Sequence, residues 1–211
     1  MQAIEVVLFD LDNTLYHPKS GLLEAGDRTI TQFISRRLHM PWDEADRLRV
    51  RTWREYGATA RGLEIEFGIP QREFFAGSIE RVPVDEYIHP QPELRAMLQA
   101  LPQRLYVFTN APSVYAKRTL EALGIADLIA DVFDIEATGG QPKPECRSYD
   151  RVVEAVGVPA ERIALLEDTE DNLEPAAELG MVTIKVGPPP PEGEHLYLED
   201  LLKLPEVLAG D

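Results

Sequence analysis

The stretch Val6-Val7-Leu8-Phe9-Asp10-Leu11-Asp12-Asn13-Thr14 limits what this chain can become more than any other. Its opening apolar run shows no alternation, so both faces of a strand there must be covered, as in the middle of a parallel sheet. The strand, read as residues 4–9, stops at two carboxylates two positions apart. Alternation along an extended chain sends Asp10 and Asp12 to the same side. Like charges that close repel unless a proton or a cation lies between them. The spacing predicts a metal-assisted acid site at the carboxyl end of a buried strand.

The remaining chain supplies the layers such a strand needs. Strands are read at 105–109, 132–135, 163–166 and 182–186, the last of the series. Helices fall between them at 93–100, 113–123, 149–156 and 173–179, and Gly124, Gly157 and Gly180 close three of these. Alternation of this kind implies right-handed crossovers and a parallel sheet covered on both sides. Residues 16–88 read differently: Ile30, Phe33, Ile34 and Leu38 recur at helical spacing, and no strand pattern appears. A second helix is expected from Asp43 with Trp53 and Tyr56 on its apolar side. Gly57, Gly62, Gly68 and Pro70 punctuate shorter helices after it. The fold class is therefore α/β, with a Rossmann-like core of residues 1–15 and 89–211 and an all-helical cap of residues 16–88. An extended linker is expected at 188–191, and a short helix within 197–208 docked through Leu198, Leu201 and Leu202.

Acidic residues outnumber basic ones 37 to 21, for a formal charge of −16. That balance disfavours a nucleic-acid polymer or an anionic membrane as partner, and leaves open a small anion held by a local cation. Cys146 is the single cysteine, which fits a reducing compartment. With no leader-like start and no spanning apolar run, the expectation is a cytoplasmic protein, monomeric or homodimeric.

Ligands of open α/β sheets bind at the carboxyl ends of strands, and two further strand ends are polar. Thr109-Asn110 combines a hydroxyl with a residue that can cap the helix after it, a setting that suits phosphate. Glu167-Asp168 opens an acidic run that continues to Asp171-Asn172. Together with Asp10 and Asp12 it makes an all-oxygen cluster that selects a hard cation such as magnesium. Lys143, between Pro142 and Pro144, is a stiffly held cation suited to offset charge on a carboxylate beside a phosphate.

Asp10-Leu11-Asp12-Asn13-Thr14, Thr109-Asn110, Lys143-Pro144 and Glu167-Asp168 with Asn172, in this order, resemble the four motifs of the haloacid dehalogenase superfamily. The helical insert resembles the cap of one large branch. Asp12–Tyr16, Trp53–Gly57 with Gly62-Leu63, and Leu123–Asp127 are most similar to the pyrimidine 5′-nucleotidase-like group. Two departures are a Glu-Asp pair where that group more often has Asp-Asp, and Glu145-Cys146 where the family commonly continues with Asp-Pro after Lys143-Pro144.

The resemblance implies a magnesium-dependent phosphomonoester hydrolase acting on a small cytosolic metabolite, a pyrimidine nucleoside 5′-monophosphate being one candidate. Asp10 would be the nucleophile, Asp12 the general acid and base, and Lys143 the charge-offsetting group. Thr109 and Asn110 would hold phosphate. Asp10, the Asp12 carbonyl and Asp168 would hold Mg2+, supported by Thr14, Glu167, Asp171 and Asn172. Alternatives are a β-phosphoglucomutase-like phosphomutase, for which Arg54 and Arg61 are the cap cations on offer, and a non-catalytic phosphate-metabolite binding protein. A true dehalogenase would need neither Asp12 nor the acidic cluster.

Overall fold

All four residues of strand β1, Val6–Phe9, are buried in the structure, a computed structural model that describes residues 3–188 and 195–209. Val6 and Leu8 point to one side of the sheet, against Tyr149, Val152 and Val156. Val7 and Phe9 point to the other, against Leu94, Leu98, Leu120 and Leu123. A strand apolar on both sides thus sits where two layers of helices cover it. The other strands are β2 (Arg104–Phe108), β3 (Asp131–Phe133), β4 (Ile163–Glu167), β5 (Val182–Val186) and β6 (Leu196–Leu198). They pair in parallel in the order β3-β2-β1-β4-β5-β6.

The sixth strand was not expected. Leu196–Leu198 adds to the edge of β5, where backbone pairing decides the conformation of a three-residue stretch too short to show a pattern. The tail beyond it is a 3₁₀ turn, Leu201–Lys203, and a short helix, Leu204–Ala209. Leu198 and Leu204 are its buried anchors, whereas Leu202 is exposed. Of the linker expected at 188–191, only Pro188 lies within the described residues.

Between β1 and β2 the chain is helical: α1 (Leu22–Leu38), α2 (Trp42–Tyr56), α3 (Thr59–Phe67) and α4 (Gln71–Gly77), before α5 (Pro92–Ala100) returns to the sheet. After β2 come α6 (Ser113–Leu123), α7 (Cys146–Val156), α8 (Glu174–Glu178) and α9 (Leu204–Ala209). The first four helices have a core of their own, built from Phe33, Ile34, Leu48, Leu63, Phe74 and Phe75 among others. Ile135, from the loop after β3, packs into it and ties the helices to the sheet.

Two expectations in this segment are corrected. The buried face of α2 is Ala45, Leu48 and Thr52, while Trp53 is 50% exposed. Gly62 does not break a helix but lies inside α3. A Cβ there would stand 2.6 Å from the Thr52 Cβ and 2.8 Å from Tyr56 Cδ2, so the glycine lets α3 approach α2 closely. Overpacking such a contact costs about 1–3 kcal/mol. Gly62→Ala is therefore expected to lower the urea midpoint by that equivalent, despite alanine's better helix propensity; an unchanged or raised midpoint would contradict the close approach.

Candidate active site

Strands β1, β2 and β4 are neighbours, so the residues just past their carboxyl ends meet at one end of the sheet. Past Phe9, the Asp10 amide still donates to the Leu166 carbonyl at 2.8 Å, which fixes Asp10 beside β4. The chain then curls away. Asn13 adopts φ 62°, a left-handed conformation that asparagine tolerates better than most residues. Its side-chain amide donates to Asp168 Oδ2 at 3.3 Å. Asp10 and Asp12 do reach one cavity, but through this turn rather than by strand alternation.

Lys143 is 1% exposed, far from the solvated loop position usual for a lysine. Its Nζ donates to Asp10 Oδ1 at 2.7 Å, Glu167 Oε2 at 2.5 Å and the Phe108 carbonyl at 2.9 Å. Asn110 holds the backbone that delivers it: Oδ1 accepts from the Lys143 amide at 2.7 Å, and Nδ2 donates to the Lys143 carbonyl at 3.0 Å. The capping role expected of Asn110 is thereby corrected. Pro112 occupies the N-cap position of α6 and makes no side-chain cap bond. Thr109, 2% exposed, accepts from the Ala111 amide at 3.1 Å, leaving its own hydroxyl proton free to donate.

Asp12 is held differently. The hydroxyls of Tyr16 and Tyr115 both donate to its Oδ1, that of Tyr115 at 2.8 Å. Burial pushes the Asp12 carboxyl above its usual pKa, and the two phenols pull it back. Burial and the Asp12 charge raise both phenols, so they remain donors. Tyr16 follows Asp12 by four residues, a spacing visible in the sequence. Tyr115 lies 103 residues away, and no local pattern links it to Asp12.

Burial, and then the Glu167 charge, raise the Asp10 pKa well above the normal range, with Lys143 opposing. For Lys143, burial works against the charge, but Asp10 and Glu167 outweigh it and raise the ammonium pKa. Asp168 is pushed up to about 7, first by burial and then by Glu167.

Asp10, Glu167 and Asp168 each offer a carboxylate oxygen within 4.8 Å of the other two. Three acids beside one ammonium leave an excess of negative charge that a hard divalent cation relieves, and the donors are all oxygen, so the residues fit such an ion. The Asp12 carboxylate is not one of the three. Asn172 lines the cavity and its carbonyl accepts from Tyr149. Asp171 is exposed and outside the lining; Thr14 is also outside it, buried with an unpartnered hydroxyl.

The cavity is about 370 Å³. Asp10, Asp12, Thr109, Lys143 and Asp168 form its floor. The helical segment supplies Ile30, Arg49, Trp53, Phe74 and Phe75 on the opposite side. Arg54 and Arg61 are not among the lining residues, and Arg61 is paired with Glu145 at 2.7 Å.

The raised pKa of Asp168 carries a thermodynamic sign. Without an ion, folded Asp168 keeps a proton that the unfolded chain releases from about pH 4 upward, so stability falls as pH rises through about 7. Cation binding competes with that proton. Mg2+ is expected to raise Tm, and to raise it more at about pH 8 than at about pH 6; a shift that is absent or independent of pH would contradict this site.

A family model described as haloacid dehalogenase-like hydrolase matches residues 4–180. The chain is 27% identical over 198 residues to phosphate metabolism protein 8 of Saccharomyces cerevisiae, covering 85% of this chain and 60% of that protein. It thus spans less than two thirds of the yeast relative's length. It is 28% identical over 189 residues to a phosphoglycolate phosphatase of Rhodospirillum rubrum, covering 85% of this chain and 78% of that one. Its fold is similar to that of a HAD phosphatase from Thermococcus onnurineus, with a TM-score of 0.68, 18% identity and 99% of both chains covered. The match to the family model takes in all the strand ends gathered around Asp10, and the chain belongs to the haloacid dehalogenase-like hydrolases.

Proposed function

We propose that the protein is a magnesium-dependent phosphomonoesterase that acts on a small cytoplasmic metabolite through an aspartyl-phosphate on Asp10. The observation that carries this reading is the unequal treatment of two carboxylates on one cavity. Asp10 is paired to a buried ammonium, and Asp12 is held by two phenols. Different environments suit different tasks.

An Asp10 oxygen attacks phosphorus and the bond to the leaving oxygen breaks, with Asp12 donating its proton to that oxygen. Asp12, now ionised, takes a proton from water. The resulting hydroxide attacks phosphorus, and the bond to Asp10 breaks to free phosphate. Lys143 offsets charge on Asp10 and on the phosphoryl group, while the Thr109 hydroxyl and the Asn110 N–H hold phosphoryl oxygens. Asp10, the Asp12 carbonyl and Asp168 would hold Mg2+, which when bound would further neutralise the phosphoryl charge. Glu167 keeps Lys143 in place. Residues 16–88 act as a cap over a core of residues 1–15 and 89–211. A pyrimidine nucleoside 5′-monophosphate is the substrate to try first, because Phe74, Phe75 and Trp53 can pack against a base.

Asp10→Asn is expected to abolish phosphate release. Asp12→Asn is expected to lower kcat by about a hundredfold to ten-thousandfold with alkyl esters. With p-nitrophenyl phosphate, whose leaving group needs no acid, Asp12→Asn should instead accumulate phosphoenzyme, read by mass spectrometry on the peptide that holds Asp10. Turnover that survives Asp10→Asn sinks the proposal. Turnover that requires a bisphosphate activator would indicate a phosphomutase, and tight binding without release a binding protein.

A further inference from the structure

The wall of the cavity opposite Asp10 carries charge of its own. On α1, Leu23, Asp27 and Ile30 recur at intervals of four and three, so they share one helix face, and all three line the cavity. On α2, Arg49 and Trp53 stand four apart and line it too. Among the described lining residues the cations are Lys143 and Arg49, and Lys143 is already committed to Asp10 and Glu167.

Arg49 is committed as well. Its Nη1 lies 2.7 Å from Asp27 Oδ1. Its Nε and Nη2 both lie 3.0 Å from Asp46 Oδ1, which also accepts from the Thr31 hydroxyl at 3.1 Å. Two carboxylates therefore meet one guanidinium, and the wall has no cation to spare. Of the five guanidinium N–H groups, the one on Nε donates a hydrogen bond, to Asp46 Oδ1, and the Asp27 ion pair uses one of its two carboxylate oxygens. The wall can still offer donors and an acceptor side by side, among apolar neighbours such as Ile30 and Phe74.

We infer that the Asp27–Arg49 pair determines specificity: it admits phosphomonoesters whose leaving group is uncharged and bears a donor and an acceptor, as an amide or nucleobase edge does. It disfavours leaving groups with a carboxylate or a second phosphate. This inference rests on the phosphatase reading above and narrows it to a substrate class. An added anion there meets Asp27 and an Arg49 already neutralised by Asp27 and Asp46, in a cavity that strips part of its water. Rejection comes from the unpaired charge as much as from any favourable contact with the accepted ligand.

The test uses matched probes: benzyl phosphate and 4-carboxybenzyl phosphate for turnover, and the two corresponding phosphonates for calorimetric binding to Asp10→Asn protein. The neutral probe is expected to lead by about tenfold or more in kcat/KM and in affinity at low salt. Added salt should narrow the gap. Asp27→Asn should shift the ratio toward the carboxylated probe, because it removes one of the two negative charges. Equal handling of the two probes, a preference for the carboxylated one, or no binding of either phosphonate overturns the inference. Absence of turnover with every ester counts against the reaction alone, since the phosphonates still report the preference.

Discussion

The Lys143 ammonium, enclosed with Asp10 and Glu167, is the interaction around which the rest of the site is arranged. A buried ammonium without partners is untenable, and so is a pair of buried carboxylates without a cation. The three groups come from a loop and from the ends of two neighbouring strands, so their pairing holds that loop against the sheet. Asn110 bonds the lysine's own amide and carbonyl, which makes the placement of the charge a property of backbone as well as side chain. Prolines on either side reduce the freedom the loop would lose on docking.

The same arrangement separates two acids that are near neighbours in the chain. Asp10 continues the ladder of β1 into contact with β4, while the turn through Asn13 swings Asp12 toward Tyr16 and Tyr115. Burial raises both carboxyls, but the groups that oppose it differ: an ammonium for Asp10, two neutral phenols for Asp12. An acid that opens on the cavity while held by neutral donors is suited to proton transfer. At Asp10 the ammonium opposes burial and the Glu167 charge without cancelling them, so neutralisation by a divalent cation would favour the ionised form that attacks.

Above this floor, the helical segment closes the cavity with side chains of another kind. Its core holds Phe74 and Phe75 firmly, and the exposed Trp53 stands on the same face of α2 as Arg49. Gly62 permits the close approach of α3 to α2 that fixes this wall. On the reading proposed above, the balance of charge on the wall, rather than its shape alone, would distinguish one leaving group from another.

Much of the fold was legible in the chain because periodicity is local: the unbroken apolar run before Asp10, the alternation of strands and helices after Pro92, and the helical spacing of Ile30, Phe33, Ile34 and Leu38 each report burial directly. The short edge strand Leu196–Leu198 was not legible, because its conformation comes from pairing with β5 and not from its own pattern. Trp53 misled in the opposite sense, since an aromatic residue near a core face can equally line a cavity. For the site, the sequence by itself determined which acids and hydroxyl stand at strand ends and which lysine a proline-flanked loop carries, and therefore the kind of chemistry open to the chain. Only the tertiary structure decided that Glu167 pairs with Lys143, that Asn110 is a clamp and not a cap, that Tyr115 reaches Asp12, and that Arg49 is already neutralised. Each of these joins residues from separate elements, and hydrogen bonds and ion pairs depend on distances that only packing sets.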